Sequence, residues 1–499
     1  MKVCIPRLML AASASGCGKT TITCGLLQAL INRGNSPSAF KCGPDYIDPM
    51  FHKYVLGVNG GNLDSFFLGR EEICRQLAEG SQKNLQDRSQ KNPQQQDISV
   101  IEGVMGYFDG VAGTSTWASS FDIARITETP VILIVDCKGA SLSLAAVIQG
   151  FLQYERDRAL ELVQERGPED MGTFPGNQIK GILLNRISPA MADRLRPEIE
   201  RLGVALVGCI PECDEMKLES RHLGLVRPEE ISSLRAQMEQ LAEQIVKTVE
   251  IDQICEIAQS APALVIQESS QGKDRNGVGD LKMHLRIGVA RDSAFCFYYQ
   301  ENFRLLESMG AELVPFSPMA DRSLPADIDG MILGGGYPEL YAWSLSSNTP
   351  MREAVKAAIN SGMPYLAECG GFLYLHQKLE ASDGVTYPMA GVIDGNGYRT
   401  ERLSRFGYIS LTSGEKDPCL KQEIKGHEFH YWDSTNCGGD WKASKPLSSR
   451  GWNCVHSRDY QIAGFPHLYY PSNPDFVKTW LEGCQNYQDR RSGKKGDII

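Results

Sequence analysis

Residues 8–21 read Leu-Met-Leu-Ala-Ala-Ser-Ala-Ser-Gly-Cys-Gly-Lys-Thr-Thr, an apolar strand running through a turn of small residues into a helical segment. That order constrains the chain more than any other stretch, because it has the composition of a phosphate-binding loop. A nucleotide triphosphate is gripped by backbone N–H groups, and only small residues let the backbone come that close. Ser15, Gly16 and Gly18 supply the room. Lys19 is expected to neutralise the β- and γ-phosphates and Thr20 to offer its hydroxyl to Mg²⁺. The helix from Thr21 to about Leu30 would point its positive end at the phosphates. The loop is a variant: the usual pattern has Gly five positions before Gly18, where Ser13 stands here.

The opening Met-Lys-Val-Cys-Ile-Pro-Arg followed by Ala-Ser-Ala has some look of a secretory leader, but Pro6 and Arg7 interrupt an apolar region that needs about 7–15 residues. At 499 residues two or more domains are expected. A net charge of −10 speaks against nucleic acid or an anionic membrane as partner. No uncharged apolar run reaches about 18 residues; the best stretch, Pro130 to Leu152, carries Asp136 and Lys138. The 15 cysteines are scattered without a Cys-x-x-Cys, so they read as reduced thiols filling cores rather than as disulfides or a zinc site. A cytoplasmic enzyme fits best.

Farther on, Ser38-Ala-Phe-Lys-Cys-Gly-Pro-Asp-Tyr-Ile-Asp-Pro49 reads as a short strand stopping at a Gly-Pro turn that carries Asp45 and Asp48. Loops at the carboxyl ends of parallel strands are where α/β folds place ligands, so these carboxylates are candidates for Mg²⁺ or substrate. A turn stabilised by its own side chains would have the same pattern. Residues 82–97 are polar and Gln/Asn/Lys-rich, a surface insertion. Ile98 to Gly110 is then a strand ending at Glu102, with Asp109 among the glycines that follow. An acid at the tip of a strand beside a phosphate loop stands where Mg²⁺ is coordinated; a Gly-rich turn with a solvated Glu is the plain alternative. Strand patterns at Val131–Asp136, Ile179–Arg186 and Val204–Pro211, alternating with helical ones, predict a doubly wound parallel sheet. Asn185, at a strand end, is a candidate for an adenine edge or simply a turn residue. Arg227 to Gln259 has helical periodicity, and the polar stretch from Gln267 to Asp280 reads as linker.

A second α/β domain opens at Leu285. Asp329 to Glu339 is a strand ending in Gly334, Gly335 and Gly336, which expose successive N–H groups to an anion or oxyanion. Met363 to Tyr374 has the form of a nucleophile elbow: Cys369 at a sharp turn, Gly370 and Gly371 permitting it, and a helix start expected to lower the thiol pKa. Such a thiolate wants a histidine, and His467 follows late in the chain. A buried apolar thiol is the alternative for Cys369. His427 and His430 face opposite ways if extended, so one zinc cannot easily claim both; Gly426–Tyr431 is expected to be a substrate-facing loop.

With these residues assembled, the chain resembles the cobyrinate a,c-diamide synthases, glutamine-dependent, ATP-consuming amidases of the corrin pathway, over almost its whole length. The resemblance rests on Ser15-Gly-Cys-Gly-Lys-Thr-Thr, Lys41-Cys-Gly-Pro-Asp-Tyr-Ile-Asp-Pro, Gly61-Asn-Leu-Asp and Ile101-Glu-Gly-Val-Met-Gly-Tyr-Phe-Asp-Gly. Arg221-His-Leu-Gly-Leu-Val, Gly334-Gly-Gly-Tyr-Pro-Glu, Glu368-Cys-Gly-Gly, Gly426-His-Glu-Phe-His-Tyr and His467 complete it.

The resemblance implies a dethiobiotin-synthetase-like P-loop domain over 1–250, a linker over 251–284, a flavodoxin-like class I glutamine amidotransferase domain over 285–486 and a polar tail over 487–499. It assigns catalysis to Cys369 and His467, and the oxyanion to Gly335, Gly336 and Gly370. ATP goes to Ser15, Gly16, Gly18, Lys19, Thr20, Thr21 and Asn185, and Mg²⁺ to Thr20, Asp45 and Glu102. Substrate goes to Tyr46, Asp48 and Asp109. The implied partners are cobyrinate, L-glutamine and ATP, with a homodimer allowed. One departure stands out: class I amidotransferases carry His-x-Glu, and here the third position is Tyr469. Two other readings remain open, the same chemistry on nickel-sirohydrochlorin and a partner-binding switch ATPase with an inactive glutaminase. Intact Cys369 and His467 speak against the switch, as does Ala14, where partitioning ATPases place a second lysine.

Overall fold

The computed structural model describes residues 1–86, 97–166, 177–212, 231–266, 284–403, 405–414 and 417–493. They fall into two compact units, Met1–Lys273 and Asp274–Ile499. The Arg221–Val226 motif and most of the 82–97 insertion lie outside the described residues.

Strands that are apolar on both faces must be covered on both. In the first unit Arg7–Ala12, Val131–Asp136 and Ile179–Asn185 meet this condition as members of a seven-stranded sheet. Its order is Gly60–Leu63, Ser38–Cys42, Ser99–Glu102, Arg7–Ala12, Val131–Asp136, Ile179–Asn185 and Ala205–Ile210, and every pairing is parallel. Helices Lys19–Asn32 and Ile231–Thr248 help to close one face, with Leu26, Leu30, Met238 and Leu241 in a shared core. Helices Ser143–Arg166 and Pro189–Glu200 close the other, through Leu144, Ile148, Leu195 and Ile199. The start of the expected linker belongs to this unit instead. Ile251–Gln259 is a helix whose Ile251, Ile254 and Ala258 join the core, and Leu264–Val265 pairs antiparallel with Lys2–Val3. Isoleucines one turn apart bury a stripe, which a linker has no reason to carry.

The second unit is built on a six-stranded sheet in the order Ala311–Phe316, Leu285–Ala290, Gly330–Leu333, Tyr365–Glu368, Gln461–Gly464 and His456–Arg458, parallel except for the last. An antiparallel sheet runs Gly451–Cys454, Trp441–Ser444, Arg405–Ser413, Ile424–His430 and His467–Leu468. Gly426–His430 is thus a strand paired on both sides, not the expected loop; Phe429 and Tyr431 turn outward while His427, Glu428 and His430 are buried. The last helix, Pro474–Arg491, starts where Asn473 accepts the Phe476 N–H at 3.2 Å. It buries Phe476, Trp480 and Leu481 and continues through residues expected in the polar tail, so that Arg491 pairs with Asp329 at 2.9 Å. No described helix is long and apolar enough to cross a membrane.

Candidate active sites

The central strand Arg7–Ala12 delivers the phosphate loop at its carboxyl end, and helix Lys19–Asn32 begins directly behind it. Gly18 has φ +85° and its missing side chain matters, since a Cβ there would stand 2.8 Å from Asn185 Nδ2. Asn185 Nδ2 donates to the Cys17 carbonyl at 2.9 Å and its Oδ1 accepts the Arg186 N–H at 3.0 Å. Its amide thereby holds the loop in place. Lys19 Nζ donates to the Met105 carbonyl.

Beneath the loop is a buried charge cluster. Lys41 Nζ lies 2.5 Å from Asp48 Oδ2, 2.8 Å from Glu102 Oε1 and 3.9 Å from Asp45 Oδ2. The Thr20 hydroxyl donates to the same Glu102 oxygen at 2.7 Å. Burial works against the Lys41 charge, but Glu102, Asp48 and Asp45 raise its pKa well above the ordinary value. Asp48, which burial alone would push up, is held low by the Lys41 ammonium, whereas burial carries the Glu102 carboxyl upward. Asn62 Nδ2 donates to the Gly43 and Asp45 carbonyls at 2.9 and 2.7 Å and so sets the acid-bearing turn, whose Tyr46 is buried. Asp109 accepts the Gly106 N–H at 2.9 Å and caps its own glycine turn.

These groups suit a divalent cation. Glu102 Oε2 is buried with no hydrogen-bond partner among the described residues, His52 Nε2 stands 3.7 Å from it, and the Thr20 hydroxyl adjoins the other oxygen. Lys41, Asn62 and His52 were not singled out from the sequence. A lysine inside the apolar run Ser38–Cys42 was the available signal, because a buried ammonium needs carboxylates nearby.

In the second unit, strand Tyr365–Glu368 ends at Cys369, whose φ of +48° and ψ of −100° belong to a strained strand-to-helix turn. The Cys369 N–H donates to the Gly464 carbonyl at 2.8 Å, tying the elbow to the strand that leads to His467. Gly335 stands between them: a Cβ on it would lie 2.3 Å from His467 Cε1, and a Cβ on Gly370 would lie 3.4 Å from the Gly335 carbonyl carbon and 3.1 Å from Gly336 N. The glycine turn thus adjoins both the elbow and the histidine.

The His467 ring stacks on His427 at 4.9 Å with planes 14° apart, and His427 Nδ1 is 3.1 Å from the Tyr299 hydroxyl. Burial, with His430 nearby, depresses the His467 pKa to about 3, so the resting imidazole is neutral. The expected depression of the thiol is reversed. Burial raises the Cys369 pKa, and Glu339, Glu428 and Glu368 add to it, outweighing the amide of Gly370. A five-residue helix, Gly370–Tyr374, is too short a dipole to offset burial among acids. His430 has partners of its own, the Trp432 carbonyl at 2.6 Å and Phe465, stacked at 4.0 Å. Glu339, Glu368 and Glu428 lie in motifs quoted above, Glu368 directly before Cys369, but none was given a role in sequence, where only Glu368 stands beside the thiol.

Two family models match the chain: the CobQ/CobB/MinD/ParA nucleotide binding domain over residues 8–226 and the CobB/CobQ-like glutamine amidotransferase domain over 286–451. Among its relatives, the cobyrinate a,c-diamide synthase of Listeria innocua is 37% identical, over 94% of this chain and 97% of its own. The synthases of Priestia megaterium and Thermoplasma volcanium are 34% and 36% identical, over 97% and 98% of this chain and 98% and 99% of theirs. Identity at that level over both units, with a nucleotide loop in one and a cysteine elbow in the other, places the chain in the cobyrinate a,c-diamide synthase family, whose members are glutamine-hydrolysing, amide-forming ligases.

Proposed function

We propose that the chain amidates the a- and c-acetate carboxylates of cobyrinate in turn, drawing ammonia from glutamine and activation from ATP. The observation that carries this reading is that one chain holds both a phosphate loop over buried acids and a strained cysteine turn converging with a buried, neutral histidine.

In the second unit Cys369 Sγ attacks the glutamine amide carbon while His467 takes the thiol proton and returns it to the departing ammonia. The glycine amides at Gly335, Gly336 or Gly370 receive the oxyanion. Water then releases glutamate from the thioester. In the first unit the loop residues Ser15, Gly16, Gly18, Lys19, Thr20 and Thr21 hold ATP for transfer of its γ-phosphoryl group to a carboxylate oxygen, and ammonia displaces phosphate from the acyl phosphate. Mg²⁺, when bound, neutralises phosphate charge; Thr20, Asp45 and Glu102 would hold it. Tyr46, Asp48 and Asp109 stand at the turns assigned to the macrocycle.

The test is product mass after incubation with cobyrinate, glutamine and Mg-ATP, beside Cys369→Ala supplied with glutamine or with ammonia. A two-amide product that the variant forms only from ammonia is expected. A mass change with nickel-sirohydrochlorin alone would move the chain to that substrate, and none with either would revive the switch ATPase.

A further inference from the structure

Of the three carboxyls that act on the Cys369 thiol, Glu368 is already engaged: the Tyr470 hydroxyl donates to it at 3.1 Å and the Leu468 amide also reaches it. Glu339 follows the glycine turn, where burial pushes its pKa up to about 7. Glu428 differs from both. The residue is fully buried, Oε2 lies 3.3 Å from His430 Nε2, and Oε1 is buried with no hydrogen-bond partner among the described residues. His430 is anchored by the Trp432 carbonyl and the Phe465 ring, which fixes the carboxylate and leaves Oε1 outside the pair. The nearby ammonium of Lys445 feels the Glu428 charge but is engaged by the carbonyls of Phe406 and Tyr408.

A carboxylate oxygen buried without a donor is costly, and interiors keep one mainly where a ligand supplies the partner. Glutamine carries a single cation, its α-ammonium, a few bonds from the amide carbon that Cys369 would attack. A receptor for that ammonium must stand a side chain's length from the thiol, near enough to influence it without touching it. Glu428 meets this requirement by its place in the sheet: it follows His427, which pairs with His467 across the strands and stacks on its ring, and its partner His430 stacks on Phe465, next to the Gly464 whose carbonyl holds the Cys369 N–H at 2.8 Å.

We propose that Glu428 Oε1 receives the α-ammonium of glutamine, with His430 positioning the carboxylate, and that this contact selects glutamine over amides without the charged group. The inference rests on the glutaminase reading of Cys369 and His467. Its test compares glutamine with glutaramate, the same amide without the amino group, as substrates for hydrolysis by the full chain and by Glu428→Gln. Ammonia-dependent amidation by the same preparations reports folding.

The wild-type chain is expected to prefer glutamine. In Glu428→Gln, kcat/KM for glutamine should fall about 10–100-fold, mainly through KM, and that for glutaramate much less, so the preference collapses. Glu428→Asp, which keeps the charge, should retain part of the preference; His430→Asn should erode it in the same direction. An equal loss on both substrates, or none on either, would overturn the proposal and leave Glu428 a structural residue. A folded wild-type chain that hydrolyses neither amide would overturn the glutaminase reading itself.

Discussion

In the first unit Lys41 sits among Asp48, Glu102 and Asp45, so buried cation and carboxylates neutralise one another before any ligand arrives. In the second, Glu339, Glu368 and Glu428 gather around a thiol whose ionisation they oppose. The difference follows the chemistry each site must meet. A polyphosphate brings its own large negative charge, and a preset lattice of Lys41 and acids can hold metal-binding oxygens in place without reorganising. Around Cys369, burial first and the neighbouring acids second keep the proton on sulfur in the resting chain.

The largest effects should separate the two sites outright. Lys19→Ala is expected to lower amidation about 10³-fold or more whether nitrogen comes from glutamine or ammonia, while Cys369→Ala does so with glutamine alone. Steady-state rates with each nitrogen source decide this, and equal losses in both variants with ammonia would erase the division.

Next, Lys41→Met should leave Asp48 and Glu102 facing each other without their cation. Breaking a buried pair on one side costs roughly 3–5 kcal/mol, so urea denaturation of the first unit should shift by about that much while glutamine hydrolysis continues. A shift below about 1 kcal/mol would mean the cluster is far wetter than its burial suggests.

The carboxylates of the second site have a pH signature. Burial raises Glu368 to about 8 from an ordinary 4.5, against the Tyr470 and Leu468 hydrogen bonds, so the folded chain keeps a proton that the unfolded chain releases. That stabilisation is complete below about pH 4.5 and is lost as pH rises through about 8. Melting temperature should therefore drop more steeply between about pH 4.5 and 8 in the wild type than in Glu368→Gln, by the equivalent of a few kcal/mol. Parallel curves would place that carboxyl in a far more polar setting.

The smallest expected effect lies at the loop. Asn185→Ala removes the amide that holds the Cys17 carbonyl, worth about 1 kcal/mol. KM for ATP should rise about 5-fold, with glutamine hydrolysis unchanged; no change in KM would return Asn185 to a mere turn residue.

What could be read in advance was what local rules govern. Gly16, Gly18 and Lys19 announce a phosphate loop because backbone approach demands small residues in that order, and the fully apolar Val131–Asp136 announces a strand covered on both faces. The Cys369 elbow was legible for the same reason, since its strain shows as flanking glycines. The fate of residues 251–266 was less so, because a short amphipathic helix beside a polar stretch looks like a boundary until its isoleucines find a core.

The amino-acid sequence by itself determined the two α/β units, the phosphate loop, the strand-end acids and the Cys369 elbow, because each depends on residues adjacent in the chain or on strand-end placement that periodicity reveals. Only the tertiary structure decided which charges meet. Lys41 and Glu102 are neighbours across two adjacent strands, Asn185 reaches the loop from a third, and Glu428 comes to the thiol on a strand of the antiparallel sheet. Register and sheet order set those distances, and electrostatic energy in a buried site depends on distance and desolvation rather than on sequence separation. For the same reason the direction of the Cys369 shift could not be read from the helix that follows it, since it was burial and three carboxylates brought together by the fold that overruled the dipole.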